Sequence, residues 1–580
     1  MDPKDLLPTC KPAFERLLGR FGNGSASLGI LKDGRADYLG LGTGTTMPNK
    51  DTLYLISSMT KPILAIAVGI LVSSGKIELD APVGSFLRLC AKCNHRNGAP
   101  LRVRDLLDHR SEFYRCDRLW EGPDGSIGIQ DGCAILELYQ HLPLNQKYSE
   151  ASDFRCTRNY NNLCYAMLAM IIDAILRPSG MRWTQLVHTE IFDPLGMARS
   201  TADMSCRKPD GNIADSNCVL IKEQGFSDLL GDDEDSAAVH ERFLERVKNS
   251  NQVAVPQPVQ LSRCSDTATY IGAATGIRST ASELCTLFGA CMALITKGER
   301  QNGKLAKFEA GVLAVEDHII DMVRDPTYAY AGGWNPVNLP WDQSQRAPGA
   351  DGENYGRLQA VADLGIAGLR DKKDLWPFFQ GNPSKDQQLA RFHGGNMVGA
   401  TSFVFIIPAL GLAVVVLCSA RSFLVDEGVE ILLEKVHVNS EHCAARYMVE
   451  VEIYRREFKN YESQFAAVDL YGKCIGKYAF TENIFLEIVA DETGVHLQLR
   501  YQGVQYPLRV KRGSTSNKLT MSFARPMELV HKAGLGGKYW LNHKLAEITF
   551  FAEQSYGYDR LVWTFEEDIG EESAFVRVSG

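Results

Sequence analysis

The chain has 580 residues, 45% of them hydrophobic and 23% charged, with a formal net charge of -8. That length exceeds one ordinary domain and supplies material for a sizeable core, and the composition excludes a fibrous or low-complexity protein. Its 62 Lys and Arg are outnumbered by 70 Asp and Glu, with no basic stripe, which argues against a nucleic-acid partner because phosphate attraction needs a concentrated basic surface.

The opening Met1-Asp-Pro-Lys-Asp5 lacks the positive and apolar regions of a secretory signal, so the cytoplasm is the expected location. The 15 cysteines are then expected to be reduced and mostly buried. Cys90-Ala-Lys-Cys93 with His95 resembles half a zinc site or a redox pair, and no second pair completes four ligands, so neither a metal nor a cofactor is expected.

Ala26 to Leu31 and Ala36 to Gly40, split by Lys32-Asp33-Gly34, predict a β-hairpin at the start of the chain. Helical material dominates from Pro62 to about Leu294, including Leu163 to Ile175. The apolar runs Pro62 to Val72 and Phe403 to Cys418 are both too short to span a bilayer, so no membrane partner is expected. Pro408-Ala-Leu-Gly411 divides the second run into buried strands, Phe403 to Ile407 and Leu412 to Cys418, ahead of a helical pattern from Asp426 to Val436. Two long segments, 203–270 and 335–389, read as irregular walls beside a binding site. The acidic run Gly231 to Asp235 in the first reads as a solvated loop.

The fold class is therefore α/β, an antiparallel sheet flanked by helices with a helical subdomain, followed by a separate domain. Beyond Tyr471, Val495, Leu497, Leu499 and Tyr501 alternate with polar residues. Lys518 to Phe523, Glu547 to Phe551 and Leu561 to Phe565 read as further strands, punctuated by Gly494, Gly503 and Gly513. These predict an antiparallel, barrel-like β domain. The expected division is 1–438 catalytic, 439–468 connecting helix and 469–580 β domain.

The strongest chemical signal is Ser57-Ser58-Met59-Thr60-Lys61-Pro62. Proline is tolerated in the first turn of a helix, so Pro62 puts a helix start close to Ser58, and a spacing of three sets Ser58 beside Lys61. Positive potential at that end favours an alkoxide, and a desolvated, neutral lysine could take the serine proton. The pattern recurs at Ser73 to Lys76, where the helix dipole has the wrong sign, and at Ser205 to Lys208 in a polar loop. On residue types alone a helix-capping role for Ser58 stays open, as do core packing for Tyr160 and a packed histidine for His393.

With that motif in place the chain resembles the serine β-lactamase and penicillin-binding-protein family, nearest its class C β-lactamase, esterase and D-aminopeptidase branch. The resemblance is carried in order by Gly75 to Val83, Leu101 to His109, Tyr160-Asn161-Asn162, Ile191 to Met197, Gly276 to Thr280 and Phe392-His-Gly-Gly395, over about residues 20–420. It implies Ser58 as nucleophile, Lys61 and Tyr160 as proton carriers, and Asn162 as a substrate ligand. His393-Gly394-Gly395 stands where the family has Lys-Thr-Gly, and the backbone N–H groups of Ser58 and Asn396 would form an oxyanion hole. His109-Arg-Ser-Glu112 departs from the family's His-Thr-Ser-Gly, which implies a loop of different shape and charge. Trp334, with Trp341 and Trp376, suggests an apolar pocket, with packing in the core as the alternative reading of these tryptophans.

The resemblance implies a serine hydrolase or acyltransferase acting on an ester, thioester or amide of a small molecule, free or carrier-tethered, such as a biosynthetic intermediate. Transacylation or thioester-releasing cyclisation would use the same residues, and an inactive scaffold of the same fold is the alternative from another class. The C-terminal domain is similar to lipocalin-like appendages of some relatives, where a cap over the site or a contact between copies would be its role.

Overall fold

The protein is described from a computed structural model. It covers residues 3–19, 25–42, 47–89, 99–120, 132–142, 159–205, 211–214, 217–222, 255–256, 269–298, 303–323, 330–339, 388–397, 400–419, 464–481, 484–501, 504–510, 518–523, 528–531, 547–551, 560–563 and 574–578. Cys90 to Cys93, Gly231 to Asp235, Trp341, Trp376, Asp426 to Val436 and residues 439–463 lie outside the described residues.

The helices are α1 Pro3–Gly19, α2 Thr60–Ser73, α3 Val103–Leu107, α4 Asp117–Trp120, α5 Gly132–His141, α6 Asn162–Leu176, α7 Trp183–Val187, α8 Gly272–Thr275, α9 Ala281–Lys297 and α10 Ala306–Val323. The strands of the catalytic region are β1 Ser25–Lys32, β2 Arg35–Gly42, β3 Tyr54–Leu55, β4 Asn217–Lys222, β5 Val255–Pro256, β6 Arg278–Ser279, β7 Asn335–Leu339, β8 Gln388–Met397, β9 Ala400–Ile407 and β10 Leu412–Cys418. Those of the C-terminal region are β11 Gln464–Phe465, β12 Gly476–Ala479, β13 Phe485–Ala490, β14 Leu497–Tyr501, β15 Val504–Val510, β16 Lys518–Phe523, β17 Glu528–His531, β18 Glu547–Phe551, β19 Arg560–Trp563 and β20 Ala574–Arg577.

The predicted hairpin forms as β1 and β2, with Lys32 opposite Arg35 and positive φ at both turn residues, 50° at Asp33 and 79° at Gly34. Two left-handed residues match the twist of the flanking strands, which is why Asp-Gly is favoured there. The chain does not open with this hairpin, however. Helix α1 precedes it and buries Leu6, Cys10, Phe14 and Leu18 at helical spacing against the hairpin. Pro8 and Pro12 inside α1 are strong local breakers, so sequence propensity concealed it.

The sheet of this first region is six-stranded and antiparallel in the order β2-β1-β10-β9-β8-β7. Ala26 pairs with Cys418, so residues from both ends of the region meet at its centre, and β9 and β10 are buried throughout. Helix α9 lies across β1 and β10, and α10 packs on α9 and α2. The α2–α10 crossing needs two glycines, because a Cβ on Gly69 would strike the Gly311 carbonyl and one on Gly311 would strike Ile70 and the Ile66 carbonyl. Helix α2 is apolar on every side and buried from Thr60 to Leu71. Among the described residues no single helix is long and apolar enough to cross a membrane.

Two segments expected to be irregular contain strands: β7 on the sheet edge, and β4, which pairs with β5 and with β17 of the C-terminal region. Such cross-chain pairing leaves no local period to read. In the C-terminal region β12 to β15 form a meander, β15 also pairs with β16, and β16-β18-β19-β20 leads back to β12, closing the sheet on itself. Tyr478, Leu486, Ile488, Leu497, Leu499, Leu508, Met521, Phe550, Leu561 and Phe575 form its buried core. β16 and β18 have the predicted bounds. Val495, expected to alternate inward, is 52% exposed in the turn after Gly494. Strand β11 pairs with β15, so the chain joins this sheet before residue 469.

The α2–α10 crossing leaves no room for a larger side chain at Gly311, so Gly311→Val is expected to destabilise the fold by about 1–3 kcal/mol, the usual cost of overpacking a core. Gly84→Ala, where a methyl group meets open space, should be near neutral. Denaturant unfolding of both variants tests this, and equal stabilities would show that the helix crossing can relax.

Candidate active site

Ser58 lies in a short 3-10 turn, Ser57–Met59, that leads into α2. The turn is pinned from both sides. Ile56 N–H donates to Ile277 O at 3.0 Å, and Ile277 N–H donates to Thr60 Oγ1 at 3.1 Å. From the sheet side Ser402 Oγ donates to Ile56 O at 2.7 Å. Ser57 is fully buried with φ 48°, a conformation unfavourable for a side-chain-bearing residue and sustained here by the surrounding bonds. Strand β8 passes so close that a Cβ on Gly395 would overlap Ser402 Oγ and the Ile56 carbonyl. That is the physical requirement for glycine in the His393-Gly394-Gly395 triplet. Strand β7 pairs with β8 only as far as Phe392, whereas β9 continues to Met397.

Lys61 follows Ser58 by three residues on the same helical face and is completely buried. Its Nζ lies 3.0 Å from Ser58 Oγ, 2.7 Å from Asn162 Oδ1 and 3.0 Å from Ala274 O. Burial holds its pKa well below the ordinary lysine value; Asp117 acts in the opposite sense, Arg115 adds to the lowering, and Cys164 opposes it. Asn162 Oδ1 and Ala274 O can only accept, so each takes a hydrogen from Nζ, and the third partner is the Ser58 hydroxyl, which accepts from the amine or, once the amine has given up a proton, donates to it.

Tyr160 is buried with its ring 4.7 Å from Lys61 Nζ. Asn161 caps α6 by accepting from Leu163 N–H at 2.9 Å, which starts the helix just after Tyr160 and sets Asn162 at its first position. His109, at φ 58°, accepts the Asn161 N–H on Nδ1 at 3.1 Å, leaving its proton on Nε2, and its ring lies 4.4 Å from that of Tyr160. His393 is fully buried; its Nδ1 donates to Gly394 O at 2.6 Å and its Nε2 meets Tyr330 Oη at 3.1 Å. Its ring is 6.3 Å from that of Tyr160. Tyr330 is held by the turn it starts, because Gly332 N–H donates to Asp108 at 3.0 Å and Asp108 pairs with His318 at 2.9 Å.

The structure thus gathers Ser58, Lys61, Tyr160, Asn162 and His393 around one centre, with Gly394 and Gly395 on the adjoining strand and Asn396 next in that strand. It does not bring Trp334 to them. Trp334 is buried in the core with its ring edge-on to Phe288 of α9, 5.5 Å between centres, so it packs as an apolar side chain. Sequence reasoning missed Ala274, a backbone carbonyl without any side-chain signal, and missed Tyr330 and Asp117. Cys10, Cys116, Cys164, Cys285, Cys291, Cys418 and Cys474 are buried free thiols, and burial pushes Cys164 up to about 12.

The sequence matches the family described as Beta-lactamase over residues 13–437. Over 187 residues it is 26% identical to the D-alanyl-D-alanine-carboxypeptidase/endopeptidase AmpH of Escherichia coli strain K12, covering 31% of this chain and 43% of that protein. Over 154 residues it is 30% identical to the esterase EstB of Burkholderia gladioli, covering 26% of this chain and 38% of that one. The matched region therefore spans less than half the length of either relative. Among solved structures, a penicillin-binding protein homologue from Pyrococcus abyssi aligns over 100% of both chains at 16% identity and TM-score 0.46. A class C beta-lactamase from Rhodobacter sphaeroides aligns over 74% of this chain and 99% of its own at 16% identity and TM-score 0.45.

Because Lys61 binds its proton more weakly in the folded state, stability should rise with pH between its native pKa and the ordinary lysine value of about 10.4, where only the unfolded chain holds that proton. In urea unfolding at two pH values in that interval, the wild type is expected to gain on Lys61→Met by about 1.4 kcal/mol per pH unit. A difference independent of pH would mean that Lys61 keeps its proton when folded.

Proposed function

The chain belongs to the beta-lactamase family, which includes esterases and peptidases that are serine hydrolases, and on that premise we propose that it transfers acyl groups through an acyl-Ser58 intermediate. The observation that carries this is the fully buried Lys61 amine, whose Nζ lies 3.0 Å from Ser58 Oγ and is bound on its other sides by Asn162 Oδ1 and Ala274 O. Burial lowers the pKa of that amine, which favours its acting as base for the adjacent serine.

In the proposed reaction Ser58 Oγ attacks the acyl carbonyl carbon as its proton passes to Lys61 Nζ. The carbonyl oxygen becomes an oxyanion, for which the backbone N–H groups of Ser58 and Asn396 are the candidate donors. Collapse of this intermediate breaks the bond to the leaving group, which takes its proton from Lys61 by way of Tyr160 or directly. Water or an acceptor then attacks acyl-Ser58, loses a proton to the same groups and frees the serine. The substrate class is an ester, thioester or amide of a small molecule, free or carrier-tethered, and the second nucleophile decides between hydrolysis, transfer and cyclisation.

Intact-protein mass spectrometry after exposure to a fluorophosphonate tests this reading, with Ser58→Ala alongside. The wild type is expected to gain one covalent adduct and Ser58→Ala none, while Tyr160→Phe should slow labelling or turnover by roughly 10²- to 10⁴-fold, the range for loss of a proton-transfer group. Activated esters and thioesters, with and without amine acceptors, then separate hydrolysis from transfer by the lifetime of the adduct. If the wild type gains no mass while a known relative is labelled in parallel, the inactive-scaffold reading takes its place.

A further inference from the structure

We propose that Asp117 is a positioning residue for this site, fixing the side-chain amide of Asn162 with its nitrogen on Asp117 and its oxygen on Lys61. Asp117 opens α4 and its side chain is only 8% exposed. Its Oδ1 accepts from Trp120 Nε1 at 2.9 Å and from Asn162 Nδ2 at 3.1 Å, and its Oδ2 pairs with Arg115 at 2.7 Å. The carboxylate, which can only accept, decides which end of Asn162 faces which neighbour.

The orientation has a chemical consequence at Ser58. With Asn162 Oδ1 on Lys61 at 2.7 Å, the amine donates a hydrogen there and is held against Ser58 Oγ at 3.0 Å. Were the amide reversed, its NH₂ would face the Lys61 hydrogens or compete with the serine for the amine, and its oxygen would face the Asp117 carboxylate. Both contacts would be repulsive or unproductive, so the Arg115–Asp117 pair specifies one amide state across a buried network. The groups facing Lys61 are Asp117 and Arg115 from the loop and α4, Tyr160 from the segment before α6, and Cys164 and Tyr165 from α6. Removing the Asp117 charge takes away an influence that favours the protonated amine.

The consequence for catalysis rests on the acyl-Ser58 reading; the amide orientation does not. The test combines two measurements on Asp117→Asn, Asn162→Ala and the double variant. The first is the fluorophosphonate labelling rate; the second is the titration of Lys61 by NMR of ε-carbon-labelled lysine, assigned with Lys61→Met. We expect Asp117→Asn to label about 100-fold more slowly, the cost typical of a misplaced catalytic group. Lys61 should also titrate at lower pH, and the Asp117→Asn loss should largely vanish in the Asn162→Ala background. Asp117→Glu, which keeps the charge, should return the titration toward the wild type even if Asp117→Asn folds poorly. Full additivity of the two substitutions, or an unchanged Lys61 titration, overturns the proposal. A wild type that never labels, with the Lys61 titration still displaced in Asp117→Asn, overturns the acyl-enzyme reading and supports the positioning role.

Discussion

One buried amine constrains the catalytic region. Lys61 has no exposed surface, and an ammonium group there would be costly without partners on every side. Its partners come from the turn before α2, from the start of α6 and from α8, elements far apart in the chain. Their convergence requires α2 to be buried on all sides, which explains a helix apolar around its whole circumference. It also requires close approach of α10 at Gly69 and Gly311 and of β8 at Gly395.

Other buried charges around the site follow the same rule. Asp108 is paired with His318 and capped by Gly332 N–H, which seats the turn that presents Tyr330 to His393. Two residues before His393, Arg391 on β8 pairs with Glu316 of α10. These pairs contribute little net stability, since desolvation offsets much of the attraction. Their effect is to join helix, turn and strand in one arrangement, so that the aromatic group His109, Tyr160, Tyr165, Tyr330 and His393 packs around the amine.

Local signals predicted local structure well. Asp33-Gly34 specified the hairpin because two adjacent left-handed residues suit Asp-Gly. Pro408 to Gly411 separated β9 from β10, and Gly411 does adopt a positive φ of 56°. The signals misled where distant packing overrode them. Helix α1 tolerates Pro8 and Pro12 because its apolar stripe is covered by the hairpin, β4 exists through a partner more than half the chain away, and Trp334 is consumed by the core.

The sequence by itself determined that Ser58 and Lys61 are neighbours, because a spacing of three on a helix leaves no other arrangement. Its ordered motifs also carried the family and the sheet-and-helix class. Whether that lysine is placed to act as a base was decided only by tertiary structure, since its lowered pKa comes from complete burial and its acceptors are supplied from elsewhere in the chain. The role of Asp117 belongs to the same category. A carboxylate at the start of a four-residue helix carries no signal in one dimension, and gains its proposed role only where folding sets it against the amide that faces the lysine.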